Sequence, residues 1–310
     1  MNKVDLRHRI FISITWITEI LHRASTNRFV RGIFSTLALL FCGWYLYQNR
    51  ANFTQVISLN QVHIPLILLS TLLVWFTVFS GSLIWYLTLR GLGVSFPFFA
   101  AIRTHLNSNV VKYLPGIIWQ YVYKYASLDP EQSGWSIPAK AIIVEFGMII
   151  VTGMINILIV FPKTISSFWL PWLAWGLLLL VLASPFILKL IIKGTVSFFP
   201  FFFSLAILLL FVNWNVLGLS LWVADAAIYP LSTRNIPIYT FSITISVVGG
   251  ILILPIPQGI GVREGLMAFL LQTLAKTPDA LILTGLSRLQ IISAELLMAG
   301  TAWIITRVWN

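Results

Sequence analysis

Six stretches of this chain, roughly 30–48, 64–89, 138–160, 169–192, 201–226 and 280–306, are apolar over the length that crosses a bilayer. About 20 apolar residues are enough for a helix to span the hydrocarbon. In lipid the backbone must satisfy its own hydrogen bonds, so a crossing segment is a helix or part of a closed barrel. Alternating strands are absent, and the expectation is an all-α polytopic membrane protein. Composition agrees: charged residues are 9% of the 310, against about 25% in soluble domains.

Two further apolar regions, 97–127 and 237–276, are interrupted at their centres by "KYLPGIIWQ" and "LPIPQGIGVRE". Pro115 with Gly116, and Pro255 and Pro257 with Gly259 and Gly261, break the helix. Each half is then about 12–16 residues, short for a crossing at 1.5 Å per residue. Such a region is either one kinked span or two half-helices folded back as a re-entrant hairpin. Basic residues favour hairpins. With the N-terminus cytoplasmic and both regions returning to their own side, the inside segments hold Lys3, Arg7, Arg9, Arg23, Arg28, Arg31, Arg90, Arg103, Lys124, Lys140, Lys189, Lys193 and Arg307. The outside segments hold Arg50, Lys163, Arg234 and Lys276, a clear positive-inside bias.

This layout divides the chain into an interfacial amphipathic leader at 1–29, a first membrane repeat at 30–160 and a second at 161–310. In the leader Ile10, Ile14, Ile17 and Leu21 fall at helical spacing. Three spans per repeat is odd, so the second repeat enters inverted and the hairpin tips meet near the midplane, a recurring transporter arrangement.

The net charge of +11 is strung between apolar runs rather than gathered in a water-facing patch, which excludes a nucleic-acid surface. The single cysteine, Cys42, forms no intramolecular disulfide, and His8, His22, His63 and His105 show no ligand spacing, so no metal or other cofactor is expected. There is no Walker motif, and Gly259-x-Gly261 lacks the soluble βαβ setting of a dinucleotide site.

Charges within the apolar regions are the candidate site, because a charge at bilayer depth costs roughly 2.5–3.5 kcal/mol and therefore faces protein. They are Lys112, Glu145, Arg263, Glu264, Arg288 and Glu295. Arg288 and Glu295 are two turns apart on one helix face, too far to pair with each other, which leaves Arg263 and Glu145 as their expected partners. Arg263 follows a glycine-rich break, where free amides and a helix dipole favour an anion and a guanidinium adds a bidentate phosphate donor. Opposite it, Lys112, Gly116, Trp119, Gln120 and Lys124 surround the first break. Asp129 and Glu131 have the spacing of a metal-binding pair, but Asp-Pro more readily opens a turn.

"NVVKYLPGIIWQ" and, much later, "LPIPQGIGVREGLMAFLL" resemble the lysylphosphatidylglycerol synthetase/flippase transmembrane-domain family. That family includes the membrane domain of multiple peptide resistance factors and stand-alone relatives, some linked to glycan-lipid pathways. Gln258 stands where the family often has Gly, and Ile117 where a basic residue is frequent. The resemblance implies an inner-membrane, flippase-like protein with both termini cytoplasmic, acting on an anionic phospholipid or polyprenyl phosphate. It does not imply the aminoacyl-transferring activity, which belongs to a separate soluble domain. Two other readings compete: a membrane transferase acting on a polyprenyl-linked substrate through Asp129 and Glu131, and a non-catalytic partner of a glycosyltransferase or synthetase. A homo-oligomer is compatible with each.

Overall fold

The computed structural model describes residues 62–113, 119–128, 136–161, 169–191, 199–229, 236–252, 262–275 and 280–308. Among them every regular element is a helix. These are α1 (Ile64–Gly91), α2 (Phe98–Val111), α3 (Trp119–Ser127), α4 (Ser136–Ile159), α5 (Trp169–Ile191), α6 (Pro200–Ile228), α7 (Ile236–Leu252), α8 (Val262–Leu270) and α9 (Ala280–Val308). A π-helical turn, Leu271–Ala275, extends α8. The leader at 1–29, the expected span at 30–48, the carboxylates Asp129 and Glu131, and the break residues Pro115, Gly116, Pro255, Pro257, Gly259 and Gly261 lie outside the described residues.

Four helices are long and apolar enough to cross a membrane: Ile64–Gly91, Ile137–Ile159, Pro200–Ile228 and Ala280–Ala302. They match four of the six expected spans. Helix α5 runs 23 residues, but its apolar stretch, Trp172–Ile187, is shorter. The outward faces confirm the solvent. Leu68, Leu72, Phe76 and Phe79 are exposed along one side of α1, and Trp169, Trp172, Leu173, Leu179 and Leu180 are exposed on α5. Contiguous apolar surface of this extent is tolerated by lipid and not by water. The chain is a polytopic α-helical membrane protein.

Helices in lipid gain nothing from hydrophobic burial against one another, so close backbone approach and interhelical hydrogen bonds hold them. Helices α1 and α6 form the central pair. A Cβ on Gly91 would meet the Phe203 ring at 2.7 Å, and one on Gly218 would stand 1.9 Å from Thr240 Oγ1 on α7. Ser80 donates to Asn213 (2.7 Å), and Ser70 to the Ser220 carbonyl (2.8 Å). Gln290 on α9 joins Ser70 and Thr71, while Asn156 on α4 links Thr244 and Asn215.

Helix ends and breaks are satisfied locally. At the end of α1, Gly93 takes φ 75°, and the Val94 amide reaches back to the Leu89 carbonyl, a left-handed cap that suits glycine. Inside α5, Pro185 has no N–H to give the Val181 carbonyl. The Ser184 hydroxyl takes its place at 2.7 Å, and Ser204 of α6 bonds the next carbonyl, Leu182, at 2.7 Å.

The two interrupted regions become the pairs α2/α3 and α7/α8, each with its members in contact. Asn107 Nδ2 donates to Tyr123 Oη at 3.1 Å, and those two positions are equidistant from Pro115. A Cβ on Gly249 would touch Leu266 at 3.3 Å, and the midpoint of that pair falls between Pro257 and Gln258. Tyr239 and Ile243 share one buried cluster with Leu271 and Ala275. In both regions the helices that flank the Pro/Gly break pack against each other.

Candidate functional site

A cavity of about 320 Å³ opens where both pairs meet the central helices. Its wall includes Lys112, Gln120, Glu145, Arg263 and Glu295, five of the residues expected at the site from sequence. They come from four helices, α3, α4, α8 and α9, and from the C-terminal cap of α2.

Each wall charge is set by local structure. Lys112 follows directly after α2, where the helix gives way to the break. Its ammonium bonds Glu295 Oε1 on α9, and Tyr113 donates to Glu295 Oε2 at 2.6 Å, so both carboxylate oxygens are engaged. Lys124, on α3, is equally committed. Its ammonium lies 2.7 and 2.6 Å from the two oxygens of Glu145 on α4, and 4.4 Å from the centre of the buried Trp85 ring. Lys124 is 5% exposed and Glu145 3%. A buried lysine held this way has its charge answered twice, by a carboxylate and by an aromatic face.

Arg263 lies in the first turn of α8, beside the cavity and within electrostatic reach of Lys112. Among the described residues it has no carboxylate at ion-pair distance. Glu264, its neighbour in sequence, turns instead to Arg288 Nε on α9 at 3.4 Å, and the Arg288 guanidinium sits 5.8 Å from the Tyr113 ring centre. Glu264 and Arg288 therefore form a pair behind the cavity wall rather than part of it. Trp119 is also off the wall. It shares a helical face with Tyr123, which is turned toward α2, whereas Gln120, Tyr121 and Lys124 face the cavity.

The ion pairs correct the expected partners. Arg288 and Glu295 were matched by depth with Arg263 and Glu145. Helix rotation brings Glu264 and Lys112 to them instead, and Glu145 turns to α3.

Several wall residues carried no sequence signal. His105, one of four histidines with no spacing pattern, presents Nδ1 to Glu145 Oε1 at 3.5 Å, and its Nε2 packs on Gly81, where a Cβ would come within 2.9 Å. Asn109 and Asn213 also border the cavity. Ser80 donates to Asn213 Oδ1, leaving the amide N–H₂ without a protein acceptor among the described residues. The Trp214 ring lines the wall while its N–H donates to Thr152 at 3.2 Å. An Asn pair inside an apolar helix would have marked α6, since "FVNWNVL" costs too much in lipid without a polar neighbour.

Among the described residues no group of three His, Cys, Asp or Glu side chains converges as a metal site. The fold and the cavity define the class: a polytopic helical membrane protein with an internal charged cavity. No protein-family model matches the chain, and no curated protein matches it.

Proposed function

We propose that the protein is a lipid translocase of the cytoplasmic membrane, moving a phosphate-bearing lipid between leaflets through the central cavity. The observation that carries this reading is the convergence of Lys112 and Arg263, one from each interrupted region, on a single internal cavity. A pocket with surplus positive charge among apolar helices suits an anionic head group whose acyl chains stay in lipid.

In this reading α2/α3 and α7/α8 are re-entrant hairpins in an inverted repeat. The contacts support it. Exchange α1 with α6, α2 with α7, α3 with α8 and α4 with α9, and each main contact among these eight helices maps onto another that is also made. Helix α2 touches α9 as α7 touches α4, and α3 touches α4 as α8 touches α9. The ion pairs follow with reversed polarity: Lys124–Glu145 joins α3 to α4, and Glu264–Arg288 joins α8 to α9. Rocking of two such halves about a fixed site gives alternating access. The family resemblance in the two Leu-Pro motifs points the same way.

The test is reconstitution into vesicles carrying labelled lipids, with leaflet exchange read by quenching of the outer label. Wild type should accelerate exchange of an anionic phospholipid or a polyprenyl phosphate. Arg263→Ala should slow it at least about tenfold, one decade being about 1.4 kcal/mol of lost head-group interaction. Absence of exchange for every phosphate-bearing lipid would sink the reading.

A further inference from the structure

We propose that the cavity selects a lipid whose head group carries one net negative charge and a neutral hydroxyl-bearing substituent, a phosphodiester of a small polyol. This rests on the translocase reading and narrows its substrate.

Charge balance comes first. The described cavity wall holds the cations Lys112, Lys124 and Arg263 against the carboxylates Glu145 and Glu295. The charges of Lys112 and Lys124 are balanced by those carboxylates. The Glu264–Arg288 pair behind the wall adds no net charge. His105 Nδ1 stands 3.5 Å from Glu145 Oε1 without a hydrogen bond, and Lys124 already engages both oxygens of that carboxylate, so the imidazole is counted neutral. One positive charge is left, on Arg263. In a low-dielectric site an unbalanced charge is expensive. A phosphodiester brings one negative charge and closes the balance. A zwitterionic head leaves the excess in place, a cationic head increases it, and a phosphomonoester, near −2 at neutral pH, overshoots it.

The neutral part of the wall suggests what else the head group carries. Asn109 on α2, Gln120 on α3 and the free amide of Asn213 on α6 offer donors and acceptors without charge, the complement of hydroxyl groups. The Trp214 ring and Leu210 supply apolar surface for the carbon face of a polyol. The cavity, about 320 Å³, accommodates a phosphate with one small polyol.

The experiment uses the full chain in phosphatidylcholine vesicles with trace tail-labelled phosphatidylglycerol, phosphatidylethanolamine, phosphatidylcholine or polyprenyl phosphate. Phosphatidylglycerol should exchange at least about tenfold faster than the other three, the effect expected of one uncompensated charge. Arg263→Gln, which makes the described wall neutral, should erase that preference over phosphatidylethanolamine. Equal exchange of all four lipids, or faster exchange of phosphatidylethanolamine or the polyprenyl phosphate, would overturn the selectivity and leave the translocase reading standing. No exchange of any lipid would remove both. Uptake of radiolabelled glycerophosphoglycerol, the deacylated diester, in place of lipid exchange, would move the site to a water-soluble ester and overturn the lipid assignment. Arg263→Gln that keeps the wild-type preference would remove Arg263 from its role.

Discussion

Lys112 and Glu295 are 183 positions apart in sequence and share a hydrogen bond inside the protein. Their side chains are 13% and 4% exposed. Removing one partner of such a pair strands the other, at a cost of roughly 3–5 kcal/mol when burial is complete. Glu295→Ala should therefore lower the unfolding temperature in detergent, toward the smaller end of that range because Lys112 borders the cavity. The double variant Lys112→Met with Glu295→Met should restore most of the loss, since an apolar pair of similar volume is tolerated there. Its leaflet exchange should still fall at least about tenfold if Lys112 serves the head group. Recovery of both stability and exchange would show the pair to be packing alone. These partners were not legible in the chain: depth along a helix can be estimated from hydropathy, but which face turns to which neighbour cannot.

Between elements, close approach decides which substitutions are possible. A methyl group on Gly218 would fall 2.5 Å from the Thr240 Cα, so α6 and α7 would have to separate. Gly218→Ala should cost at the upper end of the roughly 1–3 kcal/mol seen for overpacking, read as a lower unfolding temperature. Gly176 on α5 has nothing within 4 Å of the same point. Gly176→Ala should be neutral or stabilise by about 0.5–1 kcal/mol through helix propensity alone. Composition does not separate these two glycines, since both lie in long apolar helices; only the position of α7 does. Pro185 and its remedy are half legible. The sequence shows a proline in a span, and Ser184 beside it is the local donor, but Ser204 answers from another helix. Ser204→Ala leaves the Leu182 carbonyl without that donor and should cost about 0.6 kcal/mol, the mean for such bonds between membrane helices, measured by unfolding in detergent.

At the scale of the molecule, the proposed hairpins α2/α3 and α7/α8 make a topological prediction. In a chain with Cys42→Ala, single cysteines at the exposed positions Ser95 and Ala126, near the outer ends of the first pair, should react with a membrane-impermeant thiol reagent from the same side. Cysteines at Ile236 and Lys276, flanking the second, should react together from the opposite side. Cysteines at Ser95 and Ala126 reacting from different sides would make the first region a kinked crossing and remove the inverted repeat.

Long apolar runs, their proline and glycine interruptions and the spread of basic residues already determined that this chain is helical and membrane-embedded, and where its helices break. Those are local quantities, because each segment in lipid must satisfy its own backbone. The cavity, the pairing of Lys124 with Glu145 and of Lys112 with Glu295, and the arrival of His105 and Asn213 at the wall were decided only in three dimensions. They depend on the depth and rotation of helices that approach one another from distant parts of the chain, and hydropathy, which sums residues one segment at a time, does not encode either.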